Sequence, residues 1–187
     1  MPVTYDTIAA NRQLVEHLAD LSDVQLVAGN TEPAIYTVEG AADIKVIGRD
    51  STGGQFAVSQ ASGRVFHFTS EGGAGAVARD FATFITIVVA LPFWRDILKY
   101  SAHGKIAEMR RATGALEDDL FEEEESVTSR DQLAELLELD EEIDVVAELH
   151  AAVSSRVVIH DQWGNLTESL FGRFTIDDNP MWRAATG

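Results

Sequence analysis

The 187-residue chain contains no cysteine. That excludes disulfides, thiolate metal sites and cysteine nucleophiles, and makes a reducing cytoplasm the expected home. Positive charge is also scarce: 14 Lys and Arg stand against 31 Asp and Glu, a formal net charge of −17. A surface of that sign repels phosphate backbones and anionic bilayers, so neither nucleic acid nor membrane is expected as a partner. Long apolar runs are missing as well. The longest, 84–94, is broken by Thr86 and Pro92 and is too short to cross a bilayer. The opening Met1-Pro2-Val3-Thr4-Tyr5-Asp6 lacks the basic and apolar segments of a signal peptide, and none is expected.

What is present points to an ordered globular chain. The hydrophobic fraction is 45%, near the norm for folded domains, and the length suits one domain with or without a helical extension. The acidity is uneven. Residues 1–100 hold 11 acids and 7 bases, whereas residues 101–187 hold 20 acids and 7 bases. Between Glu117 and Glu148 there are 15 acids and one base, Arg130. Such a surface would attract and steer a basic protein partner. It equally serves solubility.

Apolar residues at Ile8, Leu14, Val15, Leu18 and Leu21 predict one amphipathic helix over 6–21, with Asp6 as its N-cap. Strands are predicted at 34–38, 44–47, 55–59 and 65–69, separated by short Gly-, Ser- and Asp-rich turns. Connections that short imply antiparallel neighbours, hence a β-meander. Gly72-Gly73-Ala74-Gly75 is read as its end, followed by an apolar helix over 76–89 that Pro92 terminates. Trp94, Ile97, Leu98 and Met109 extend the helical pattern and are expected to cover one face of the sheet. Ser129-Arg130-Asp131-Gln132 matches a capping box and predicts a helix start at Ser129. Ile143, Val146, Leu149 and Val153 predict another helix, and 157–159 a last strand.

Few constellations suggest chemistry. Gly73-Ala74-Gly75-Ala76-Val77-Ala78 fits G-x-G-x-x-A, which between a strand and a helix would admit a pyrophosphate. The second parallel strand and its acidic residue are missing, so a plain strand-to-helix turn is expected. The five histidines are scattered without zinc spacing. His67 alternates with Phe66 and Phe68 and is expected to face away from them. His160-Asp161 suggests part of a triad, but no G-x-S-x-G elbow accompanies it. Glu122, Glu123, Glu124 and Glu125 lack the alternating ligands of a calcium loop. No cofactor or metal is expected. Trp163 and Trp182 lie in a polar, turn-rich region. They are expected to seal the sheet, with partner anchoring as the other reading.

Ile47-Gly48-Arg49-Asp50-Ser51-Thr52-Gly53-Gly54-Gln55-Phe56-Ala57, Gly63-Arg64-Val65-Phe66-His67-Phe68 and Ala78-Arg79-Asp80-Phe81-Ala82-Thr83-Phe84-Ile85 carry a resemblance. The stretch from Ile35 to Tyr100, about a third of the chain, resembles the SUKH superfamily. These are immunity proteins of bacterial toxin systems, with relatives in a fungal cell-wall-synthesis regulator. The leucine-proline pair and glycine-rich turn that often follow the family's first helix have no clear counterpart here. The resemblance implies an α+β fold and a non-enzymatic protein that binds and neutralises a toxin, often a nuclease.

The sequence therefore predicts an α+β fold: a meander of four to six antiparallel strands flanked by helices, with an acidic helical C-terminal extension. A core over 1–111 and an extension over 112–187 are expected to pack as one domain. The expected function is capture of a basic toxin domain through Glu122, Glu123, Glu124, Glu125, Asp140, Glu141, Glu142 and Trp163. A scaffold or regulatory interaction protein is the alternative, and a nucleotide or small-ligand binder using the 72–75 turn is the second.

Overall fold

A computed structural model describes residues 3–30, 32–121, 124–140 and 142–179; the side chains of 119–121 and 124–127 lie outside that description. The fold is α+β: a five-stranded antiparallel sheet, a two-stranded sheet and, among the described residues, seven α-helices.

The N-terminal helix is two helices. α1 (Tyr5–Ala9) and α2 (Arg12–Ser22) are split at Asn11, whose Oδ1 accepts from the Leu14 N–H at 3.3 Å and caps α2. Asparagine offers the backbone this alternative to an unbroken ladder. Thr4, not Asp6, caps α1 by accepting from the Thr7 N–H. Ile8, Leu14 and Leu18 are still buried together.

β1 (Gln25–Leu26) pairs with β3 (Ile44–Arg49), which opens the meander through β4 (Gln55–Ser59), β5 (Val65–Phe68) and β6 (Ala74–Ala78). The sheet order is β1-β3-β4-β5-β6. Two expectations fail here. The 34–38 segment contributes only β2 (Thr37–Val38), which leaves the meander and pairs with β7 (Ile159–His160). The glycine-rich stretch does not end the meander, because Ala74–Ala78 is its last strand. Small side chains are what this edge requires. A Cβ at Gly75 would sit 3.1 Å from Leu170, and the Ala74 N–H donates to the Glu168 carbonyl at 2.9 Å.

The following helix, α3 (Phe81–Ala90), therefore starts five residues later than predicted. Asp80 caps it, accepting from the Thr83 N–H at 2.8 Å. All residues from Thr83 to Val89 are buried, as suits a helix at the centre of a layer. α4 (Trp94–Lys99), α5 (Ile106–Phe121), α6 (Glu124–Leu137) and α7 (Val145–Val153) follow. Ser129 lies inside α6 and starts nothing. Glutamate is a good helix former, and the helix has already begun at Glu124.

Two cores lie on opposite faces of the sheet. Val77, Phe56 and Ile47 meet the helices around Phe84, Trp94 and Leu149. Phe66, Phe68 and Ala57 meet Tyr36, Val38 and Ile159 of the two-stranded sheet. The Tyr36 ring stacks on Phe68 at 4.8 Å, and its hydroxyl donates to the Thr69 carbonyl at 2.9 Å. The C-terminal segment is anchored by Phe171, which fills the space beside Gly104, and by the Gly172 N–H donating to the Leu98 carbonyl at 2.8 Å.

Two glycines should respond in opposite ways to alanine. A Cβ at Gly48 would lie 2.5 Å from the Gln25 carbonyl oxygen, between β3 and β1, whereas one at Gly114 in α5 meets nothing within 4 Å. Gly48→Ala should cost about 2 kcal/mol as the strands are pushed apart, and Gly114→Ala should stabilise by about 0.8 kcal/mol from helix propensity. Urea unfolding midpoints of the two variants check this.

Candidate functional site

The β3–β4 turn is built on one buried carboxylate. Asp50 Oδ1 accepts from the Thr52 N–H at 2.9 Å, the Thr52 hydroxyl at 2.7 Å and the Gly54 N–H at 2.8 Å. Its Oδ2 lies 2.8 Å from His67 Nε2 and 3.4 Å from Arg95 Nη1. Arg95 Nη2 also donates to Asp23 Oδ2 at 2.6 Å, and Asp23 takes the Ser51 N–H and hydroxyl. The turn is thus tied to the end of α2, to α4 and to β5. Gly54 has no alternative, since a Cβ there would collide with the Asp50 carboxylate.

Burial would raise the Asp50 pKa, but hydrogen bonds from His67, Thr52 and Gly54 outweigh it and hold the carboxyl far below its ordinary range. Burial depresses the His67 pKa, and the nearby carboxylate offsets this only in part. Burial thus favours the neutral imidazole, and because an ionised carboxylate only accepts, that form would present its Nε2–H to Asp50. His67 faces away from Phe66 and Phe68, as expected: its ring stacks on Phe56 at 4.7 Å and meets Trp94 edge-on at 5.2 Å. The side chains of Asp50 and His67 are 1% and 2% exposed. The adjacent hydroxyls of Ser51 and Thr52 donate to Asp23 and Asp50. The pair has no open side towards a substrate and acts as a structural anchor.

Trp163 does not seal the sheet. It is 77% exposed, and Leu166 beside it is 69% exposed. Both sit on a tight hairpin after β7. Asp161 Oδ1 accepts from the Trp163 N–H at 2.9 Å and the Asn165 N–H at 2.8 Å, and Oδ2 accepts from the Asn165 amide at 3.1 Å. Asp161 N–H donates to the Asn165 carbonyl, and Gly164, at φ +83°, closes the turn. The Asp161 carboxylate is committed to this turn, while His160 Nδ1 lies 3.9 Å from Glu39, so His160 and Asp161 form no catalytic dyad. Trp182 lies outside the described residues.

Of the acids predicted as contacts, Glu122, Glu123 and Glu141 lie outside the described residues. Glu124 and Glu125 open α6. Asp140 and Glu142 are exposed in the loop before α7, where Asp140 Oδ1 accepts from the Glu142 N–H at 3.0 Å. Asp140 also lines a cavity of about 270 Å³ with Val89, Ala134 and Leu139, on the helical side of the sheet. The Trp163 hairpin follows Ile159, which packs on the other side. Asp140 and the Trp163 hairpin therefore lie on opposite sides of the sheet.

Within the 73–78 stretch, Ala74–Ala78 is a strand, so the strand-to-helix turn a dinucleotide would need is not formed there. Among the described residues no group of three or more His, Asp and Glu is arranged to hold a metal ion, and no helix is long and apolar enough to cross a membrane. Comparison of the chain with protein-family models, curated proteins and solved structures finds no match.

Acid should act through the Asp50–His67 pair. The folded pKa of His67 lies below its unfolded value, so the unfolded chain takes up a proton that the folded chain refuses. Stability then falls as pH drops below about 6.5. Asp50 is also depressed, so its contribution is complete above about pH 4 and is lost on further acidification. Urea midpoints should be flat above pH 7 and decline below 6.5, and His67→Gln should flatten the first part of that decline. Asp50→Ala leaves His67 and Arg95 without their carboxylate and should cost about 3 kcal/mol at pH 7.

Proposed function

We propose that this chain is a non-catalytic cytoplasmic protein that captures a basic protein partner and blocks its action, in the manner of the toxin-immunity proteins that the 35–100 stretch resembles. The observation that carries the reading is Trp163. A large aromatic side chain is held out in water by a hairpin whose backbone is fixed by the Asp161 carboxylate. An exposed tryptophan on a rigid support loses little freedom when it binds, which is the character of an interface hot spot.

The charge supports the same reading. The net charge is −17, and Asp131, Glu135, Glu138, Asp140, Glu142 and Asp144 are exposed around α6 and the start of α7. Acids spread in this way accelerate encounter with a basic surface, while the apolar anchor sets the lifetime of the complex.

The test is co-expression with the toxin domain encoded beside this gene, followed by binding measurements on the purified pair. The protein should abolish toxicity. Trp163→Ala should raise the dissociation constant by about 30-fold, the equivalent of about 2 kcal/mol, with an unchanged melting temperature because the ring is not part of either core. Association should slow as salt rises. A toxin that kills equally well with and without this chain would overturn the proposal.

A further inference from the structure

In a chain so rich in carboxylates, arginines without a partner stand out. Seven of the described arginines lie within salt-bridge distance of a carboxylate, and Arg173 sits over the Phe174 ring. Among the described residues, Arg64 and Arg156 have neither kind of contact. They come from distant parts of the chain, the β4–β5 turn and the approach to β7, yet both line one cavity of about 330 Å³ between the two sheets.

A hydroxyl adds a further donor to that wall. Ser62 lines it, and its Oγ accepts from the Arg64 N–H at 3.4 Å, leaving the hydroxyl proton to donate. One carboxylate, Glu39, also lines the cavity, 62% exposed and 3.9 Å from His160 Nδ1, while Asp43 holds the Ser59 hydroxyl and the Ala61 N–H. Arg64 also borders the adjoining cavity of about 310 Å³, where Arg79 is paired with Glu148. Guanidinium groups bind carboxylates and phosphates through paired, charge-assisted hydrogen bonds. The volume, at the lower end of ligand pockets, fits a group of a few heavy atoms.

We infer that the cavity between Arg64 and Arg156 is a binding site for a small oxyanion, a phosphate monoester or a carboxylate. The field of the whole protein opposes anions, so saturable binding of one requires local donors rather than a diffuse basic surface.

The test is calorimetric titration of the full chain with phosphoserine, inorganic phosphate and succinate. Saturable one-to-one binding of at least one of them is expected. Arg64→Gln and Arg156→Gln should each weaken it by about tenfold, and the double variant should abolish it. Arg173→Gln, an exposed arginine elsewhere, should leave it unchanged. A preference for phosphoserine over succinate assigns the site to phosphate, and the reverse assigns it to carboxylate. No saturable heat with any of the three, or binding that survives the double variant, overturns the inference. Both arginines are exposed, so the melting temperatures of the variants should match the parent. Neither result bears on capture of a basic partner at Trp163.

Discussion

The buried carboxylate of Asp50 is the constraint on which the rest of the fold depends. An ionised group at 1% exposure would be costly alone, and it persists because every direction around it is occupied by a donor. Two backbone amides and a hydroxyl shape the β3–β4 turn, an imidazole reaches in from β5, and a guanidinium reaches in from α4. Arg95 passes the constraint on to Asp23, whose left-handed backbone at φ 57° ends α2 and whose side chain returns to the turn at Ser51. Four elements are thereby indexed to one point. The long-range packing of α3 and α4 on the sheet is then a matter of apolar fit around Phe56 and Trp94.

The sheet also divides between its two faces the groups to which the proposed roles fall. Its helical face is covered by apolar side chains from seven helices, from Ile8 to Leu149. Its other face is covered by much less: two residues of β2, two of β7 and their neighbours. A thin cover leaves its connecting turns in water. The Trp163 hairpin and the Arg64–Arg156 cavity both belong to this side, whereas the acidic loop at Asp140 belongs to the other. Steering charge and anchoring groups are therefore separated in space. That arrangement is compatible with their distinct roles, because long-range attraction needs only net charge while anchoring needs contact.

The parts of this fold legible in the sequence are those set by local periodicity. β3, β4 and β5 announce themselves through β-branched and aromatic residues between glycine turns, and α7 through Val146 and Leu149. β6 is not legible in this way. Gly75 and its alanine neighbours have poor strand propensity and look like a turn, and only the later arrival of Leu170 over Gly75 explains them. Ser129 is the converse case, a local cap signal overridden by a helix already in progress. Asp80 directly before Phe81 was a usable cap signal for α3. The Asp50–His67–Arg95 cluster joins residues far apart in the chain. Its one local trace is Gly54, four residues after Asp50, where a side chain would strike the carboxylate. Exposure of Trp163 has no sequence signature, since a tryptophan beside a turn suits a core edge and a surface equally.

This distinction bears on what the resemblance can carry. Of the three segments behind it, Ile47 to Ala57 and Gly63 to Phe68 form the Asp50 turn, the strands that leave it and the histidine that supports it, and Ala78 to Ile85 forms the end of β6 and the Asp80-capped start of α3. Their geometry is dictated by burial and backbone hydrogen bonding, and any protein that uses this turn would need them whatever it binds. They therefore speak to how the chain folds, and a shared fold does not by itself assign a function. The groups that would contact a partner or ligand are of another kind: Trp163, the exposed acids around α6, and Arg64 and Arg156. Of these only Arg64 falls within the resembling segments. Its neighbours Gly63 and Val65 serve the turn and the sheet, while its own side chain extends to the surface and is free of that duty. Surface positions such as these can change without disturbing the Asp50 scaffold, and partner specificity on this fold would be set there.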